Sequence, residues 1–93
     1  MSRQKDRSQF YHTLATLEAA GVPRSRALEQ RHRGAFGQAG LRMAQLINAQ
    51  GMTLSQAMTE FPRLFAPFER SMVEVGENTG RLDTIFTSLA GMV

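Results

Sequence analysis

A chain of 93 residues and 10.3 kDa, 42% hydrophobic and 20% charged, has room for one small globular domain with a thin core. It has no cysteine, which excludes a disulfide framework, a cysteine–zinc site and thiol catalysis, and its two histidines are too few for an all-histidine metal cage. No run approaches the roughly 20 apolar residues of a membrane span, and the opening segment has no apolar signal-like core.

The charge, +3 overall, is unevenly placed. Residues 1–42 carry eight basic and three acidic side chains, whereas residues 43–93 carry three basic and five acidic. A basic front half suits nucleic acid, an anionic membrane surface or an acidic protein, and composition does not choose among them.

The apolar residues recur at helical spacing, and no run alternates with period two. Phe10, Leu14 and Leu17 fall at i, i+4 and i+7 and predict a first helix over 6–20, closed by Gly21. Pro23 suits the first turn of a second helix over 23–33, with Ala27 and Leu28 as its main apolar pair. Gly34, Gly37 and Gly40 either weaken the start of a third helix or let another backbone approach it. That helix runs to residue 50 with Met43, Ala44, Leu46 and Ile47 inward, and Gly51 ends it. Thr53-Leu54-Ser55-Gln56 reads as a capping box. It opens a short fourth helix with Leu54, Ala57, Met58 and Phe61 as its buried stripe, broken by Pro62. A fifth helix is predicted over 65–78, with Phe65, Phe68, Met72, Val73 and Val75 as a broad apolar surface. Thr79-Gly80 turns into a last helix whose inner face is Leu82, Ile85, Phe86 and Leu89. The expectation is an all-α fold, a compact antiparallel bundle of about six short helices.

Three groups of residues are candidates for function. Arg24, Arg26, Arg31 and Arg33 crowd the second helix. A small nucleic-acid-binding module would track phosphates with several arginines on one stripe, but Leu28 interrupts the stripe of Arg24 and Arg31 and no base-reading Asn or Gln accompanies it. A solvated face or an acidic protein partner is the plainer reading, with no nucleic acid. His12 and His32 have no acidic or nucleophilic partner at local spacing and read as surface or partly buried side chains. The third candidate is the acidic group Glu69, Glu74, Glu77 and Asp83, of which Glu77 and Asp83 flank the Gly80 turn and could hold a divalent cation such as calcium. Their plainer reading is a pairing of Glu77 with an arginine such as Arg81, and Asp83 serving a helix N-terminus. No phosphate loop, nucleophile elbow or zinc helix motif is present, so the expectation is no enzyme and no cofactor.

The stretch from residue 51 to 83 is less generic. Gly51-Met52-Thr53-Leu54-Ser55-Gln56-Ala57-Met58 precedes Phe61-Pro62, and Gly76-Glu77-Asn78-Thr79-Gly80-Arg81-Leu82 follows. With Phe10-Tyr11, Leu14 to Leu17 and Ala20-Gly21-Val22-Pro23, this resembles the cytoplasmic F domain of the type II secretion and type IV pilus inner-membrane platform proteins, the GspF/PilC family. The arginine-rich second helix and the three glycines after it depart from that pattern. Within the pattern Gly76 lets two helices approach, Gly80 allows a sharp reversal, Glu77 accepts bonds from donors around the turn, and Thr53 and Gln56 start the fourth helix. The resemblance implies a single F-type domain over 1–93, part of a longer membrane-embedded protein, with the apolar end at Leu89 to Val93 leading toward a membrane helix. It implies a place on the cytoplasmic face of the bacterial inner membrane. It also implies a non-enzymatic scaffold that docks the assembly ATPase and other platform proteins and pairs as a homodimer.

Overall fold

The computed structural model describes residues 3–92, so positions 1, 2 and 93 of the expected domain lie outside it. Six helices follow in order: α1 Arg3–Ala19, α2 Arg24–Leu28, α3 Ala35–Gln50, α4 Leu54–Met58, α5 Pro67–Thr79 and α6 Leu82–Met92. No strand occurs among the described residues, and the all-α expectation holds.

The longest packing is between α1 and α6, which run antiparallel. Ser8, early in α1, donates its hydroxyl to the Ala90 carbonyl late in α6 at 2.8 Å, while Ala15 and Ala19 lie beside Asp83 and Thr87 at the opposite end. α5 packs on α6, α4 on α5, and α2 on α3, in a body 33 × 25 × 24 Å. At the centre Phe10 stacks on Phe36 with ring centroids 4.8 Å apart, and Phe65 meets Phe36 edge-on at 5.8 Å. Tyr11, Leu28, Met43, Met58, Val73, Phe86 and Leu89 complete a core drawn from every helix. Burying such side chains contributes about 1.5–3 kcal/mol each before chain entropy is set against it.

The first helix closes as its glycine predicts. Gly21 takes φ +80°, its N–H reaches the Glu18 carbonyl and the Val22 N–H the Leu17 carbonyl, both at 3.0 Å, so two carbonyls at the helix end are satisfied. The second helix is the main departure: it stops at Leu28, not near residue 33. The reason lies in the residues that follow and in the packing against α3. The His32 ring Nε2 donates to the Ala27 carbonyl at 2.9 Å and Gln30 Nε2 to the Arg26 carbonyl at 3.2 Å, so its last carbonyls find side-chain partners within a turn. The chain from 28 to 32 then lies against α3 where Gly37 and Gly40 leave no side chain in the way. A Cβ at Gly40 would strike the Leu28 carbonyl, and one at Gly37 would come within 2.8 Å of the His32 carbonyl. Of the two readings of the glycine series, close approach is the one realised, and α3 begins at Ala35 in spite of it.

Two smaller differences share a cause. α4 ends at Met58, before Phe61, and α5 begins at Pro67, after Phe65. The chain between them is a series of tight turns, with the Leu64 and Phe65 N–H groups both donating to the Phe61 carbonyl at 3.0 Å. That path buries Phe65 completely without making it helical. Phe68 and Val75, expected in the fifth helix's apolar surface, stay 47% and 56% exposed.

Candidate functional site

The sequence element 76–80 and the capping box 53–56 meet in space. Gly76 sits in α5 facing α6, and a Cβ there would come within 2.7 Å of Ile85 Cγ1 and 3.0 Å of Leu82 Cδ2. Only a residue without a side chain lets the two helices lie this close. Gly80 ends α5 in the left-handed region, φ +69°, and the Arg81 N–H closes the turn on the Gly76 carbonyl at 2.9 Å. An L-residue with a Cβ is strained there, so the reversal into α6 is written into that glycine.

Thr53 and Gln56 form the reciprocal cap expected of them. The Gln56 N–H donates to Thr53 Oγ1 at 3.2 Å, and the Thr53 N–H donates to Gln56 Oε1 at 2.9 Å. Glu77 corrects one expectation. Its carboxylate takes its bonds from α4, not from donors around the Gly80 turn: the Ser55 hydroxyl donates to Oε1 at 2.6 Å and the Ser55 N–H to Oε2 at 3.2 Å. Glu77 thereby satisfies a backbone donor at the start of α4 and sets a negative charge where that helix end is positive. No ion pair from Glu77 to Arg81 forms among the described residues. Asp83 lies exposed in the first turn of α6. Among the described residues no three His, Asp or Glu side chains gather into a metal-binding group.

A second polar cluster escaped sequence reasoning. Glu69, only 3% exposed, accepts from the Tyr11 hydroxyl at 2.6 Å, from Arg7 Nη1 at 3.0 Å and from the Ala66 N–H at 3.0 Å. Arg7 also donates to the Leu64 carbonyl and lies 5.4 Å from the Phe36 ring centroid. Burial pushes the Tyr11 phenol well above its ordinary range, and its bond to Glu69 adds to this. A buried ion pair completed by a hydroxyl and a backbone donor ties α1 to the start of α5. The available signal was the spacing of Arg7, Tyr11 and Leu14 at i, i+4 and i+7, which sets a charge on a buried stripe.

The histidines divide. His12 is exposed, while His32 is half-buried, edge-on to Phe10 at 4.8 Å. Burial holds the His32 imidazole below its usual value, against the pull of its bond to Ala27. Of the four arginines near the second helix only Arg24 and Arg26 are helical. Arg31 and Arg33 sit in the following loop, so the stripe of Arg24 and Arg31 does not form. Arg24 pairs with Glu18 at 3.4 Å.

The sequence pattern described as type II secretion system (T2SS), protein F, matches residues 10–93, nearly the whole chain. The chain belongs to the type II secretion system protein F family. It is 33% identical over 97% of its length to the type IV pilus assembly protein PilC of Thermus thermophilus, and 38% identical over 95% to the type 4 fimbrial assembly protein PilC of Pseudomonas putida. It is 32% identical over 83% to the type II secretion system protein F of Vibrio cholerae. The chain spans 23%, 23% and 20% of those relatives. No helix among the described residues is long and apolar enough to cross a membrane. The family match includes the Ser55–Glu77 clamp and the Gly76 and Gly80 contacts, which here join α4, α5 and α6 into one unit.

Proposed function

We propose that this chain is one F-type domain of a longer membrane-embedded platform protein, held at the cytoplasmic face of a bacterial inner membrane. It acts as a scaffold: it docks the assembly ATPase and neighbouring platform components, associates with a second copy, and makes or breaks no covalent bond. The observation that carries this is the family match over residues 10–93, together with relatives whose names place them in pilus assembly and type II secretion. A scaffold role fits a molecule whose polar clusters are used up within the fold: Glu77 on Ser55, and Glu69 on Tyr11 and Arg7. Phe68, Met72 and Val75 recur at i, i+4 and i+7 along α5, an apolar stripe with two members exposed that supports self-association.

Co-purification with the assembly ATPase from the same cell, with sedimentation of the chain alone across a concentration series, tests the reading. A stoichiometric complex and a dimer weakened by Val75→Glu are expected. A strictly monomeric chain that never retains the ATPase would overturn it.

The reading has no cofactor. A cation held by Glu77 and Asp83 would compete with Ser55 for both Glu77 oxygens. Adding calcium is therefore expected to leave the melting temperature unchanged, and a rise abolished by Asp83→Asn would contradict this.

A further inference from the structure

A groove of about 580 Å³ opens between the start of α1, one side of α3 and the turns that follow α4. Its floor is small and apolar, with Ala35 and Ala39 one helical turn apart on α3 and Phe61 as a half-buried wall. Arg3, Arg42 and Arg63 stand around it, one from each of the three segments, with Glu60 as the single acidic neighbour.

These arginines differ from others that the fold ties down, such as Arg7 and Arg70. Arg7 is bound to Glu69, and Arg70 donates to the Phe65 carbonyl at 2.7 Å. Arg3 and Arg63 make no hydrogen bond or ion pair among the described residues, and Arg42 makes only a 3.4 Å bond to Gln45 of its own helix. All three are exposed. The fold does not need them at the mouth of an apolar groove.

We propose that this groove docks an acidic segment of a partner protein that carries an apolar anchor. The alanine floor leaves room for one bulky side chain beside Phe61, and carboxylates on either side of that anchor meet the three guanidinium groups. Charge complementarity selects a peptide over a surface of phosphates. A flat bilayer does not reach the alanine floor, a lone phosphate leaves most of the volume unfilled, and Glu60 repels closely spaced phosphates. The proposal rests on the docking reading above and names the surface and partner chemistry for it.

The probe is a short fluorescein-labelled peptide in which Glu and Asp residues flank a Phe-Leu pair, followed by anisotropy at low salt. Its companion carries Ser-Ser in place of Phe-Leu, and phosphatidylglycerol vesicles form a separate arm. Arg42→Glu with Arg63→Glu is expected to weaken peptide binding about tenfold or more, and Ala35→Phe, which fills the groove, to weaken it as well. Arg24→Glu with Arg31→Glu, outside the groove, is expected to leave it within about twofold. Circular dichroism confirms that each variant is folded. No peptide binding, equal loss in both pairs of reversals, equal binding of the Ser-Ser peptide, or arginine-dependent binding to vesicles alone overturns the proposal. The same groove variants are carried into the ATPase co-purification. If they retain the ATPase in full, the groove is not the docking site and the docking reading stands. If the unaltered chain retains no ATPase while the peptide still occupies the groove, it is the docking reading that fails.

Discussion

Glu69 is the residue on which the most structure converges, because it is the buried acceptor for two side chains of α1 and for the backbone N–H of Ala66, the residue before α5. Glu69→Ala leaves Arg7, a half-buried charge that keeps only the Leu64 carbonyl as acceptor, without its ion partner and is expected to cost about 3 kcal/mol. Tyr11→Phe removes one donor from a carboxylate that keeps others, and is expected to cost about 1–2 kcal/mol. Urea unfolding of the two single variants and the double variant checks this, and the double should cost less than the sum because the partners are shared. His32 gives a pH signature. Its folded imidazole is held below its usual value, so the unfolded chain binds the proton more readily. Stability from this group is complete above about pH 6.5 and declines as pH falls through that value toward the folded one. Melting temperatures between about pH 7.5 and 5.5 should therefore fall more for the native chain than for His32→Gln, which keeps a donor for Ala27 but does not titrate in that range. Neither role was legible beforehand. Arg7 drew no reading of its own and Glu69 was one acid among several, since pairing across 62 residues of chain has no local signature.

Among elements, the α5–α6 turn and the cap of α4 were the most readable, and the Ser55–Glu77 bond that joins them was not. Gly76 and Gly80 are backbone requirements, and the capping box is a spacing, so each carries its structural meaning in its own residue type. Gly76→Ala sets a Cβ against Ile85 and Leu82 and is expected to cost about 1–3 kcal/mol in thermal unfolding. Ser55→Ala and Glu77→Ala should be coupled by at least about 0.5 kcal/mol in a double-mutant cycle, since each removes the other's partner. The second helix was read too long because its arginines and glutamine favour helix locally, and nothing local shows that His32 folds back to Ala27. Phe65 was placed in a helix on hydrophobicity alone, although a buried turn met the same requirement.

For the molecule as a whole, helical periodicity made the helix count and the all-α class legible, while the family was legible only through the resemblance of the motifs at 10–23, 51–62 and 76–82. The sequence did not supply the surface. Which apolar and basic residues remain outside depends on how α3 and the turns after α4 meet α1, and the groove with Arg3, Arg42 and Arg63 exists only once they do. The proposed role is that of a docking body whose surface, and not an internal reaction centre, does its work. Its most direct test is an amide-resolved NMR titration of the ¹⁵N-labelled chain with the purified assembly ATPase. The account predicts shifts in one contiguous set of exposed residues, with Val73, Phe86 and Leu89 of the core unmoved. An unchanged spectrum at saturating ATPase, or shifts spread evenly through the core, would contradict it.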